Sequence, residues 1–179
     1  MTIPMAPADQ LDPALARYAA RDADGNPRET GNELLQFWNA IPDAARRLIE
    51  LEMELWHSGS LGPRLAELVR LAIANHTSCP VCLSIRHPAA RAAGVDEQLI
   101  AALPELDDDR LTERERVAVA FADRFGRDHG SIDAEHYQQL AEHLDERERA
   151  ELTMLCSLFF GMGRFLETLT RDQGCPLPA

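Results

Sequence analysis

The sequence predicts an all-α protein, and three observations support this prediction. Apolar residues recur at helical spacing, three and four positions apart, over most of the chain after residue 32. No segment has the alternating apolar and polar residues of a half-buried strand. The stripes are separated by short polar stretches such as HSGSLGP and GRDHGSID, which are typical of turns between helices.

Four apolar stripes follow one another along the chain and predict its main helices. They are Ala44, Leu48, Leu51 and Leu55; Leu65, Leu68, Val69, Ala72 and Ile73; Ala118, Phe121, Ala122 and Phe125; and Leu152, Leu155, Cys156, Phe159, Met162, Leu166 and Leu169. Each stripe gives its helix an apolar face that must be buried against another helix. Because these stripes carry more apolar surface than one small bundle can hide, we also expect a homo-oligomer.

The first thirty residues differ in composition from the rest of the chain. They are rich in Pro, Asp and Ala, and the stretch RDADGNPRET is polar and turn-forming. We therefore predict a loosely attached N-terminal arm over residues 1–30 and one helical domain over residues 31–179.

Charge and composition exclude several classes of partner. The net charge of −12 argues against nucleic acid and against anionic membrane surfaces, which attract basic patches. The start of the chain lacks the basic and apolar regions of a secretory signal. No run approaches the roughly 18 apolar residues of a membrane helix. We expect a cytoplasmic protein, whose thiols are kept reduced.

The stretch SCPVCLSIRH contains the pair Cys79 and Cys82 at CxxC spacing. Pro80 suits the first turn of a helix, so Cys79 is predicted near the N-cap and Cys82 one turn inside. Two cysteines at this spacing can close a disulfide across one turn. The free N–H groups and the dipole at a helix start favour a thiolate. The pattern therefore favours a redox-active dithiol.

Two other interpretations of the pair remain open from the sequence. His76, Cys79, Cys82 and His87 form a compact Cys₂His₂ set, although structural zinc sites usually take their second ligand pair from a distant segment. Both cysteines can also be small core residues. Of the three interpretations, we favour the dithiol and expect neither a metal nor another cofactor.

Glu67, followed after eleven residues by Cys79-Pro80-Val81-Cys82, resembles the E-x₁₁-C-x-x-C signature of AhpD-like alkylhydroperoxidases in the carboxymuconolactone decarboxylase superfamily. The resemblance extends over roughly residues 40–170 and includes the helical blocks LTERERVAVAFADRF and AELTMLCSLFFGMGRFLETL. It implies an all-helical, oligomeric, AhpD-like bundle with the CxxC at a helix N-terminus. It further implies that Cys82 attacks a hydroperoxide, that Cys79 resolves the product and that Glu67 begins a proton relay, with electrons supplied by an external dithiol.

The chain departs from the family pattern at the relay histidine. Arg86 stands four residues after Cys82, where the family has histidine, and His87 follows it. If the helix continues at about 100° per residue, Arg86 lies between the directions of the two sulfurs and His87 faces away. Arg86 would then stabilise a thiolate without carrying protons, because its pKa exceeds about 12. His76, three residues before Cys79, is a candidate substitute relay.

The sequence thus predicts a thiol-dependent oxidoreductase or peroxidase acting on hydroperoxides or related oxidants. Its candidate catalytic residues are Cys82, Cys79, Glu67, Arg86 and His76. One alternative is a lactone-decarboxylating lyase like the namesake of the superfamily. The other is a non-catalytic, redox-sensing oligomeric binding protein.

Overall fold

The computed structural model describes residues 5–28 and 31–170. Throughout these residues the regular structure is helical, apart from an isolated bridge between Arg21 and Pro27. The all-α prediction is confirmed. The contacts divide the chain into two compact units, Met1–Met53 and Glu54–Ala179. The boundary predicted at residue 30 and the loose attachment of the first thirty residues stay predictions.

The first unit is built from short helices around a small apolar cluster. A 3₁₀ turn, Ala8–Gln10, is followed by α1 (Pro13–Ala16), α2 (Glu33–Trp38) and the start of α3 (Pro42–His57). Leu11, Ala19 and Leu35 are buried together, and Ile49 packs against them. The buried Asn32 fastens the loop before α2, since its amide donates to the carbonyl oxygens of Ala20 and Arg28.

The second unit contains seven further helices within the described residues. They are α4 (Gly62–Thr77), α5 (Pro80–Ser84), α6 (Pro88–Ala92), α7 (Glu97–Ala102), α8 (Glu113–Asp128), α9 (Ala134–His143) and α10 (Glu146–Thr170). A 3₁₀ turn, His129–Ser131, follows α8. Side chains cap the starts of two of these helices: Thr112 and Glu115 form a capping box at α8, and the Asp96 side chain caps α7.

Helix α4 is the centre of this unit. It is buried on all sides from Leu65 to Ala74, and α8 and α10 make the most extensive contacts with it. A helix that is apolar around its whole circumference belongs in a core. Two charged residues, Glu67 and Arg70, are nevertheless buried in this helix. They are the first structural sign of a site.

Helix α10 is long and apolar enough to cross a bilayer by length and composition only: an 18-residue window within Glu146–Leu169 has a mean hydropathy of 1.3. The sequence analysis found no uninterrupted run of about 18 apolar residues, and α10 is interrupted by Arg164 and Glu167. The core helix of a soluble protein passes the same test. In this structure α10 packs against α4, which buries part of its apolar surface.

Candidate active site

Two residues, Ser78 and Cys79, separate α4 from α5, and this turn therefore contains the first cysteine. Ser78 ends α4 in the left-handed conformation, with φ 51°, and Cys79 follows in an extended conformation as the N-cap of α5. Left-handed backbone costs a non-glycine residue roughly 1–2 kcal/mol. The surrounding packing must therefore hold the turn in place.

A glycine on α10 permits this packing. A Cβ atom at Gly163 would lie 2.5 Å from Oγ1 of Thr77, the last residue of α4. Because Gly163 has no side chain, α10 approaches the end of α4 closely enough to bury Thr77 completely. This contact fixes the position from which the CxxC turn starts.

The two cysteines are both reduced and differ in exposure. Cys79 is buried, whereas Cys82 is partly accessible. The thiol of Cys82 hydrogen-bonds to Cys79, and the backbone N–H of Cys82 also donates to the Cys79 sulfur over 3.3 Å. Chiefly through the Cys82 thiol, these bonds lower the pKa of Cys79 from 9.0 to about 7. At neutral pH the pair therefore contains a substantial fraction of thiolate.

Glu67 and Arg70 form a buried ion pair beneath the cysteines. Arg70 donates from Nε to Oε2 of Glu67 over 2.7 Å and from Nη2 to Oε1 over 2.9 Å. The same guanidinium donates to the carbonyl oxygens of Cys82 and Ile85. Arg70 thereby holds α5 and the residue after it against α4. Its positive charge also contributes to the low pKa of Cys79.

His87 lies beside the same carboxylate. Its backbone N–H donates to Oε1 of Glu67 over 3.3 Å, and its ring stacks on Trp56 with 4.4 Å between ring centroids. Nδ1 of His87 is buried and has no hydrogen-bond partner among the described residues. Burial, and secondarily the nearby His57, lower the pKa of His87. The ring is therefore neutral at pH 7 and has a nitrogen atom free to exchange a proton.

The expected position of Arg86 between the two sulfurs is wrong. It assumed one continuous helix, but α5 ends at Ser84 and Ile85 is extended. Arg86 instead donates from Nε and Nη2 to the Glu97 carboxylate, over 2.7 and 2.9 Å. The angle expected between His87 and Cys82 rested on the same continuous helix, so it no longer applies. The backbone N–H of His87 donates to Glu67.

His76 is held away from the dithiol by another partner. Its Nε2 lies 2.7 Å from Oδ1 of Asp123 on α8, and its ring packs against Gly126. No three His, Cys, Asp or Glu side chains in the described part of the chain gather closely enough to hold a metal ion. The geometry thus gives no support to the zinc interpretation of His76, Cys79, Cys82 and His87.

The structure therefore places Cys79 and Cys82 in contact and connects Glu67 to the carbonyl oxygen of Cys82 through Arg70. Arg86 pairs with Glu97 and His76 with Asp123 instead of with the cysteines. Sequence reasoning missed Arg70, the placement of His87 and the stacking of Trp56. One signal could have found Arg70. It stands three residues after Glu67 on a helix that is otherwise apolar, which is the spacing of an ion pair along a helix.

Comparison with known proteins agrees with this architecture. Residues 42–124 match the model of the carboxymuconolactone decarboxylase family. This segment includes Glu67, Arg70, both cysteines of the CxxC and His87. No curated protein matches the chain.

Solved structures share the fold at low sequence identity. A protein of unknown function from Agrobacterium tumefaciens, proposed to be the antioxidant defence protein AhpD, is similar with a TM-score of 0.64 and 22% identity, over 76% of this chain and 94% of that one. The debrominase Bmp8 in its apo form is similar with a TM-score of 0.63 and 20% identity, over 76% of this chain and 74% of that one.

A cysteine-to-alanine variant of Bmp8 in complex with 2,3,4-tribromopyrrole is similar with a TM-score of 0.64 and 19% identity, over 82% of this chain and 77% of that one. At these identities the likeness concerns the fold alone. The chain therefore resembles the carboxymuconolactone decarboxylase family over residues 42–124, and its described residues have the all-α, AhpD-like fold.

Proposed function

We propose that the protein is a thiol-dependent oxidoreductase that cycles Cys79 and Cys82 between dithiol and disulfide. The observation that carries this proposal is the hydrogen bond from the Cys82 thiol to Cys79, which lowers the pKa of Cys79 to about 7. The two sulfurs are thus close enough to share a proton. A dithiol that holds one proton between two sulfurs reacts as a thiolate near neutral pH.

For a hydroperoxide substrate, the more accessible Cys82 attacks as a thiolate after its proton passes to Cys79 along the hydrogen bond that joins them. Its sulfur bonds to the terminal oxygen, the O–O bond breaks, and the alkoxide takes up a proton and leaves as an alcohol. The Cys79 thiolate then attacks the sulfur of the Cys82 sulfenic acid. The S–S bond forms, and hydroxide takes a proton and leaves as water. An external dithiol reduces the disulfide by two electrons and restores the pair.

The Glu67, Arg70 and His87 cluster supports the proton steps of this cycle. The leaving alkoxide needs a proton donor, a service typically worth roughly 10²–10⁴-fold in rate. His87 is a candidate for this service once its neutral ring has accepted a proton from the dithiol, because its ring nitrogen Nδ1 has no partner among the described residues and its backbone N–H is held by Glu67. Arg86 cannot replace it, since a guanidinium does not release its proton near neutral pH.

The test is consumption of cumene hydroperoxide with dithiothreitol as reductant. We expect continuous turnover by the wild type, loss of turnover in Cys82→Ser and Cys79→Ser, and no change in Cys156→Ser. Cys156 is the control because it is completely buried on α10, where burial raises its pKa to about 12. Oxidation that stops after one equivalent of hydroperoxide would contradict the proposal that the protein is an enzyme and would indicate a redox sensor.

The proton donor is tested in the same assay. His87→Phe keeps an aromatic ring against Trp56 and removes the exchangeable proton, so we expect turnover to fall by about 10²-fold or more. Arg86→Gln breaks an exposed ion pair with Glu97 and should change turnover little. A larger loss in Arg86→Gln than in His87→Phe would refute the assignment of His87.

A second candidate function is reductive debromination, which the fold shared with the debrominase Bmp8 favours. The same dithiol would supply two electrons, with bromide leaving the ring and a proton taking its place. Release of bromide from 2,3,4-tribromopyrrole in the presence of dithiothreitol, without turnover of cumene hydroperoxide, would favour this function over the first.

We also propose that the protein is a cytoplasmic homo-oligomer. Five large apolar side chains are well exposed within the described residues: Ile41, Met53, Ile85, Tyr137 and Met154. Ile85 is the nearest of them to the CxxC in sequence and is 52% exposed. Sedimentation velocity at micromolar concentration should give a species larger than one chain; a single species of monomer mass would contradict this.

A further inference from the structure

A cavity of about 440 Å³ lies on the second unit, where the residues after α7 meet α8 and α9. Its apolar wall includes Leu103, Leu106, Val117 and Phe121. Neither cysteine of the CxxC lines it, nor does Glu67. The volume is within the range of about 300–1,000 Å³ that is usual for small-molecule sites. The cavity is thus a second place on this unit where a ligand can be held.

Three arginines face the apolar wall, and they distinguish this cavity from the rest of a chain with a net charge of −12. Arg116 donates to the carbonyl oxygens of Leu106 and Asp108, and Arg124 donates to the Ser131 hydroxyl. Neither of these two arginines forms a salt bridge with a carboxylate in residues 5–28 and 31–170. Their charges are therefore available to an incoming anion.

The other charged groups of the lining are largely engaged elsewhere. The third arginine, Arg127, lies 3.6 Å from the Asp123 carboxylate, which also binds His76. His136 is bound to Asp133 at the start of α9. Glu113 is exposed in the first turn of α8. The guanidinium groups of Arg116 and Arg124, which have no carboxylate partner among the described residues, therefore make the cavity favour an anionic ligand.

The wall of the cavity includes one strained residue. Leu106 has φ 52°, in the left-handed region that a leucine rarely adopts, and Arg116 binds its carbonyl oxygen. Strain of this kind persists only where the surroundings impose it, and it is concentrated at ligand sites. Leu106 itself forms part of the lining of the cavity.

We propose that this cavity binds a small organic carboxylate with an apolar body. A guanidinium binds a carboxylate through two parallel hydrogen bonds, and it does so more strongly than it binds a neutral group. The apolar wall favours a chain or ring attached to that carboxylate. The site goes beyond the redox function and does not depend on it, because the two sites share no lining residue among Cys79, Cys82 and Glu67.

The test is isothermal titration calorimetry of the full chain with octanoate. Two ligands serve as controls: octan-1-ol, which has the apolar chain without the carboxylate, and acetate, which has the carboxylate without the chain. We expect saturable binding of octanoate and at least tenfold weaker binding of the other two. Saturable binding of octanol as tight as that of octanoate would refute the role of the arginines. Absence of saturable octanoate binding at millimolar concentration would refute the site itself.

Two variants place the binding in this cavity. Arg124→Gln removes one free guanidinium and should weaken octanoate binding about tenfold or more. Ala120→Trp fills the exposed mouth while leaving the arginines in place, and it should also abolish binding. Arg91→Gln is the matched control, since it removes one exposed arginine from α6, outside the cavity. Equal affinity in Arg124→Gln and Arg91→Gln would overturn the proposal.

Discussion

Arg70 holds the Glu67 carboxylate at two points, with 2.7 Å from Nε to Oε2 and 2.9 Å from Nη2 to Oε1, and both side chains are nearly inaccessible to solvent. The pair is therefore a salt bridge buried in the core, where water cannot easily replace either partner. The same guanidinium holds the carbonyl oxygens of Cys82 and Ile85, so one residue connects the stability of α4 with the position of the dithiol.

The first prediction concerns this ion pair. Arg70→Met leaves the Glu67 carboxylate buried without its partner, so we expect the free energy of unfolding to fall by about 3–5 kcal/mol. Arg147→Met is the control, since the exposed Arg147 pairs with Glu151 and such pairs contribute about 0–1 kcal/mol. Urea denaturation measures both. Equal losses in the two variants would mean that Glu67 is not buried in solution.

The second prediction concerns the shared proton of the dithiol. Cys82→Ala removes the thiol that makes the largest contribution to the low pKa of Cys79, so that pKa should rise from about 7 towards its ordinary value of 9.0. Cys82→Ser keeps a hydroxyl donor and should therefore raise the pKa of Cys79 less than Cys82→Ala does. Thiolate absorbance against pH measures the pKa of Cys79 in both variants. Both carry Cys175→Ser, so that this cysteine, which lies outside the described residues, does not contribute to the absorbance. The same pKa in both variants would contradict the hydrogen bond.

The third prediction concerns the pH dependence of stability at His87. Burial lowers the pKa of this ring below its ordinary value of 6.5, so the folded state binds a proton less readily than the unfolded state. The contribution of neutral His87 to stability is complete above pH 6.5 and is lost as the pH falls through the folded pKa. His87→Phe should therefore lose less stability than the wild type between about pH 7 and about pH 5. Parallel unfolding curves over this range would argue against a buried ring.

The fourth prediction compares two glycines on α10. Gly163→Ala places a Cβ 2.5 Å from Oγ1 of the buried Thr77, and we expect it to cost roughly 1–3 kcal/mol through overpacking. Gly161→Ala meets nothing within 4 Å and should stabilise the helix by about 0.5–1 kcal/mol. Thermal unfolding should therefore move in opposite directions for the two variants. Stabilisation by both would show that α10 lies farther from the end of α4.

Much of the fold followed from periodicity. The apolar stripes at Leu65 to Ile73, Ala118 to Phe125 and Leu152 to Leu169 lie in α4, α8 and α10, because a helix in water must bury one face whatever its partner is. The contact between the two cysteines of the CxxC also followed from local spacing. Cys79 and Cys82 are neighbours on one helical turn, so their hydrogen bond needs no distant residue.

The error at Arg86 shows where local reasoning stops. A helical wheel is valid only as far as the helix continues, and α5 ends after five residues. Its end is set by Arg70, which takes the carbonyl oxygens of Cys82 and Ile85 from a different helix. No pattern in the residues after Cys82 contains that information, so the contacts of Arg86 with Glu97 and of His87 with Glu67 were not visible in the sequence.

The sequence by itself determined the all-α class, the resemblance of its central segment to a known family and the adjacency of the two cysteines, because each depends on residues close together in the chain. Only the tertiary structure decided which side chains surround that pair. It buries Glu67 with Arg70, stacks His87 on Trp56 and turns Arg86 towards Glu97. The physical reason is that burial and charge pairing depend on distances between helices, which are set by how α4, α8 and α10 pack and not by the spacing of residues along any one of them.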